Sequence, residues 1–106
     1  MPKGIMLVQS GPSDPAREDE YNDWYANTHI PQICAVPGIT GAHRYKALNP
    51  ANGEARPYLA IYDLDADDLT DPIRELRARS TSGEIERSDV LQMDPPPVTA
   101  VYQLLD

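Results

Sequence analysis

The sequence predicts an α+β fold in which two helices cover one face of an antiparallel four-stranded sheet. Three observations carry that expectation. Four short runs of apolar and β-branched residues are bounded by Gly, Pro and Asn, as strands are. Two longer segments open with Asp or Thr ahead of Pro and repeat apolar residues at helical spacing. Their order is β-α-β-β-α-β with a turn-rich hairpin in the middle, the ferredoxin-like sandwich. The 106 residues are enough for one core and not two, so a single domain over 1–106 is expected.

Lys3 to Ser10, closed by Gly11 and Pro12, reads as the first strand. A helix follows from Asp14, a good N-cap, with Pro15 at the first position, where its missing N–H costs nothing. Glu18, Asp19 and Glu20 place negative charge at the positive end of its dipole. Tyr21, Trp24, Tyr25 and Thr28 recur along one face, and His29 extends it four residues beyond Tyr25. Pro31 is expected to end or kink the helix near His29 or Ile30.

After the Pro37-Gly38 turn, Ile39 to Leu48 alternates. Ile39, Gly41, His43 and Tyr45 share one face; Thr40, Ala42, Arg44 and Lys46 share the other. Asn49 to Gly53 suits a hairpin loop. Pro57 to Leu64 is the third strand, with Tyr58, Ala60 and Tyr62 opposite Leu59, Ile61 and Asp63. Thr70 or Asp71 can cap the second helix, with Pro72 at its first position. Leu69, Ile73 and Leu76 form its apolar stripe, while Arg74, Glu75, Arg77 and Arg79 stay wet. Ser80 to Gly83 breaks it, Glu84 to Arg87 suggests a further helical turn, and Val98 to Leu105 is the last strand.

Sheets with one face in water should alternate cleanly between apolar and polar residues. These strands are apolar on both faces: Ile5 and Leu7 against Met6 and Val8, Val98, Ala100 and Tyr102 against Val101 and Leu105. A symmetric homodimer is the economical way to cover the side that the helices leave bare.

Seventeen acidic against nine basic residues give a formal net charge of -8, which argues against nucleic acid and anionic membranes as partners. No apolar run approaches a membrane span, and a cytoplasmic location is expected by default. The single cysteine, Cys34, excludes an internal disulfide and is expected to be an inert buried thiol. Asp63 to Asp67 has the look of a calcium loop, but Asp68 stands where Gly is required and Arg74 where the closing Glu should be. No metal and no cofactor is expected.

The run from Glu20 to Tyr45 resembles the dimeric α/β-barrel superfamily, especially its EthD-like members. The matching features are the Trp24-Tyr25 pair, His29-Ile30-Pro31, Pro37-Gly38 and Arg44-Tyr45, about a quarter of the chain. The resemblance implies paired sheets forming a barrel, and a pocket in each protomer between sheet and helices. His29 matches the histidine of the His-x-Pro motif. The superfamily spans polyketide cyclases, isomerases, dehydratases, cofactor-free monooxygenases and members of unknown role.

His29 is the candidate general acid–base, since imidazole titrates near working pH. Tyr25 and Tyr45 are its candidate catalytic partners. Trp24, Tyr21, His43, Arg44 and Tyr62 are candidate substrate-binding residues: flat walls with polar tips, and a cation for a carboxylate or phenolate. His43 and Tyr45 converge with His29 if their strand face meets the helices, and belong to the dimer interface if it does not. Alternation leaves that choice open. The activity these residues suggest is a cofactor-independent cyclisation, isomerisation or dehydration of an apolar oxygenated or aromatic metabolite. The rivals are a non-catalytic small-molecule-binding or accessory dimer and a cofactor-free monooxygenase.

Overall fold

The structure, a computed structural model, describes residues 2–49 and 56–105. Four strands, β1 (Lys3–Ser10), β2 (Ile39–Lys46), β3 (Tyr58–Asp65) and β4 (Val98–Gln103), form one antiparallel sheet in the order β2-β3-β1-β4. This is the βαββαβ arrangement that the order of elements predicted. The expected hairpin loop falls mostly on residues 50–55, outside the described residues; a hydrogen bond from Ala47 N to Pro57 O at 2.8 Å ties its two stems.

Asp14 caps as its chemistry predicts: its carboxylate accepts from Ala16 N at 2.9 Å, over a 3-10 turn Pro15–Arg17. Helix α1 (Glu18–Trp24) then runs into a π turn, Tyr25–His29, and on into α2 (Ile30–Cys34). Pro31 therefore does not end the helix. A proline in a helix lacks one N–H, and its ring presses on the carbonyl one turn back. Here the turn just before it widens, so that Ile30 N bonds to Tyr25 O, five residues back. Wide turns of this kind occur mostly as single-turn bulges inside α-helices, frequently at functional sites.

Helix α3 (Thr70–Ser82) starts from a cap other than the expected Thr70 or Asp71. Asp68 Oδ1 accepts from both the Thr70 N–H, at 2.9 Å, and the Thr70 hydroxyl, at 2.7 Å. That places Pro72 two residues inside the helix start, buried. Gly83 ends it in the left-handed conformation, φ 89°. Glu84 to Arg87 form no helical turn; Glu86 N instead donates to Gln32 Oε1 at 2.8 Å, tying this segment to α2.

The core lies between the helices and one sheet face: Met6, Tyr58, Ala60, Tyr62 and Leu64 from the strands meet Tyr21, Tyr25, Ile33 and Val36. A register shift between Ile39 and Gly41 changes one assignment. It turns Ile39 to the helix side, opposite Leu64, whereas Gly41, His43 and Tyr45 point the other way. The second sheet face carries Ile5, Leu7, Leu59 and Ile61, with Tyr45 and Tyr102 each about half exposed, at 52% and 53%. Among the described residues, no helix is long and apolar enough to cross a membrane.

Candidate functional site

A cleft of about 590 Å³ opens on the helix side of β1 and β4. Its floor is Met6, Val8, Thr99 and Val101; one wall is Tyr25, His29 and Ile33, and the other is the inner face of α3 at Ile73, Leu76, Arg77, Ser80 and Thr81. Ile85 and Leu91 close the end, held by the Gln32 tether and by a β-bridge between Leu91 and Pro12. The lining is mostly apolar, with a few hydroxyls, one imidazole and one arginine, the usual make-up of a small-molecule site.

The π turn decides how the imidazole is held. His29 stacks on Trp24, with ring centroids 4.4 Å apart and planes 22° from parallel, and meets Tyr25 edge-on at 4.9 Å. Its Nδ1 is buried and has no hydrogen-bond partner in the protein. Burial, and then the positive charge of Arg44, lower its pKa from 6.5 to about 4. His29 is thus a neutral imidazole at pH 7, and not a cation satisfying a helix end, because the helix continues past it.

Arg44 also lies against Tyr25. Its guanidinium is 4.4 Å from the Tyr25 ring centre and 5.4 Å from those of Tyr21 and Tyr58. Its Nη2 donates to Asn22 Oδ1 at 3.0 Å, and Asn22 in turn donates to the Tyr58 hydroxyl at 3.4 Å. Tyr58 donates to Glu18, which Lys46 also reaches at 3.1 Å. These two donors hold the Glu18 carboxyl below its usual range. Tyr25 is therefore held against both a guanidinium and an imidazole.

The structure divides the eight residues singled out by sequence into three groups. Tyr25 and His29 line the cleft, with Trp24 and Arg44 pressed against their rings. Tyr21 and Tyr62 are fully buried in the core. The Tyr21 hydroxyl pairs with Ser10 Oγ at 2.6 Å, and burial raises its pKa to about 12. Tyr62 Oη is buried without a hydrogen-bond partner, and burial, with the adjacent Tyr25 hydroxyl, pushes its acidity well below that of an ordinary phenol. His43 and Tyr45 are on the opposite sheet face and are not brought together with His29. His43 Nε2 there lies 3.9 Å from Asp63 Oδ2.

Sequence reasoning missed the α3 wall. Ile73, Leu76, Arg77, Ser80 and Thr81 follow helical spacing, but Arg77 read as solvated and Ser80 as a helix breaker. Cys34 is partly buried, and burial followed by the Asp63 charge raises its pKa, so it stays a thiol. Among the described residues, no three of His, Cys, Asp and Glu gather closely enough to hold a metal ion.

No family model matches the chain. It is 36% identical over 62 residues to core atranone cluster (CAC) protein 1 of Stachybotrys chlorohalonatus. That stretch is 58% of this chain, yet it spans only 26% of the fungal protein. Among solved structures, an ethyl tert-butyl ether D (EthD) family protein of Bacillus halodurans C-125 superposes with TM-score 0.59 at 16% identity, covering 95% of this chain and 96% of that one. A dimeric ferredoxin-like protein of unknown function from Thermobifida fusca YX gives 0.59 at 15%, covering 97% and 92%. A proposed monooxygenase of Shewanella loihica PV-4 gives 0.58 at 16%, covering 100% and 98%. At such identities the likeness is one of fold. The chain has the fold of EthD-family and dimeric ferredoxin-like proteins, as its motifs implied.

Proposed function

We propose that the chain works as a homodimer in which each protomer binds an apolar oxygenated or aromatic metabolite in the cleft and moves a proton with His29. One observation carries this reading: a neutral imidazole, with an unpartnered buried Nδ1, forms part of the wall of a mostly apolar cleft. A base with so low a pKa is free of protons at neutral pH, and its conjugate acid gives the proton up readily. Cyclisation, isomerisation and dehydration need one group to take a proton from carbon and return one elsewhere. So low a pKa makes the imidazole a weak base and a strong acid, and therefore calls for a substrate whose carbon is already acidified by a neighbouring carbonyl. Tyr25 would orient the imidazole and donate toward developing enolate charge, while the apolar lining keeps water away. His43 and Tyr45 have no part in this chemistry, and Tyr21 and Tyr62 act as core. Replacing His29 with Ala should lower turnover at least about a hundredfold. Turnover near that of the wild type would remove that role from His29, whereas no turnover by the wild type itself would leave a binding-only dimer.

Homodimerisation rests on the bare apolar sheet face and on structural neighbours described as dimeric, from Thermobifida fusca and a Jannaschia species. A stable interface would bury about 800 Å² per partner. Ile61→Asp, at the centre of that face, should give a monomer in sedimentation; an unchanged dimer would place the interface elsewhere.

A second reading follows from the Shewanella loihica neighbour: cofactor-free oxygenation of an activated phenol in the same cleft. It predicts oxygen consumption stoichiometric with substrate, which proton transfer alone does not.

A further inference from the structure

The inner face of α3 holds a charge that the function above leaves unused. Of the three arginines on this helix, Arg74 pairs with Asp71 at 3.2 Å and Arg79 with Glu75 at 2.9 Å. Arg77, between them, has no carboxylate within salt-bridge distance among the described residues, although the chain carries a net charge of -8. Among the described residues lining the cleft it is also the one that is formally charged, since His29 is neutral. The adjoining hollow along β4, lined by Leu69, Ile73 and Val101, is edged by Arg77 as well. In an acidic protein with carboxylates to spare, a guanidinium without an ion-pair partner beside an apolar cleft is suited to recognition: it has five N–H donors in a planar fork matched to a carboxylate. Ser80 and Thr81, on the same helix face, add hydroxyl donors beside it.

We infer that the ligand of this cleft is an amphipathic anion, its apolar body lying against Val8, Val101 and Tyr25 and its single carboxylate meeting Arg77. The inference rests on the cleft being the binding site and adds the chemical class of the ligand. Charge complementarity selects this occupant. A neutral hydrocarbon would gain nothing from the guanidinium, and a cation would be repelled by it.

A matched pair of probes tests the idea on the intact chain: 2-naphthoate and its neutral counterpart 2-naphthamide, titrated calorimetrically, with the His29 ring protons followed by NMR to locate binding. The wild type should bind the acid about fivefold tighter than the amide, the modest preference expected of an ion pair at a wet rim. That preference should vanish in Arg77→Gln, persist in Arg77→Lys and shrink in 1 M salt. Equal affinities in the wild type, or a preference that survives Arg77→Gln, overturn the inference while leaving the cleft as a binding site. Failure of both probes to bind, with His29 undisturbed, overturns the cleft itself and this inference with it. Arg77 is solvent-exposed, so the variants should fold like the wild type, which circular dichroism checks.

Discussion

The buried neutral state of His29 has a cost that can be measured without knowing any substrate. In the unfolded chain the imidazole titrates near 6.5; in the folded chain burial and Arg44 bring it down to about 4. Above pH 6.5 it is neutral in both states and adds no pH dependence. As pH falls, the unfolded chain takes up the proton first, so the folded state loses stability down to about pH 4, where it too binds the proton. By pH 4.5 this loss amounts to about 2.5 kcal/mol, at 1.36 kcal/mol per pKa unit. The carboxyl groups of Glu18, Glu20 and Asp68, all held low by hydrogen-bonding partners, also lose stability in acid, so the wild type alone does not isolate the imidazole. Comparison with His29→Gln does. Urea unfolding at pH 7.0 and 4.5, at one protein concentration, should show the wild type losing about 2 kcal/mol more than the variant. Equal losses, or a His29 NMR titration centred near 6.5, would refute the buried neutral imidazole.

Three other perturbations follow from the same geometry. Arg44→Gln removes the positive charge beside Tyr25, so the His29 titration midpoint should move upward in NMR; an unmoved midpoint would mean that burial alone sets it. Asp68→Ala strips the cap from α3 and should cost about 1 kcal/mol, seen as a Tm lower by several degrees. Gly38 sits at φ 93°, and a Cβ there would lie 2.6 Å from Pro72 Cγ, so Gly38→Ala should destabilise by more than about 1 kcal/mol in urea unfolding.

The strands were legible because their apolar runs are bounded by strong turn residues and because β3 alternates, Tyr58, Ala60, Tyr62 and Leu64 inward against Leu59, Ile61 and Asp63. Which face of β2 met the helices was not legible, because both faces are partly apolar and the Ile39/Gly41 shift breaks the alternation. Only the pairing of Arg44 with Ala60 and His43 with Ile61 settles it, and strand pairing is a long-range property. Local rules had Pro31 end or kink the helix near His29 or Ile30; the helix continues through a π turn just before it, and a widened turn that accommodates a proline leaves no mark in propensity. The aromatic helix face and its histidine were visible from spacing. The opposite wall was not, because an exposed arginine on an amphipathic helix reads as a solvated one until the cleft beside it is seen.

The central claim is that an apolar ligand lies in this cleft against His29. A crystal structure of the chain grown with 2-naphthoate tests it most directly. The account predicts the naphthalene ring in contact with Tyr25 and His29 and the carboxylate within hydrogen-bond distance of Arg77. A ring bound on the opposite sheet face, beside Tyr45 and Tyr102, would contradict it.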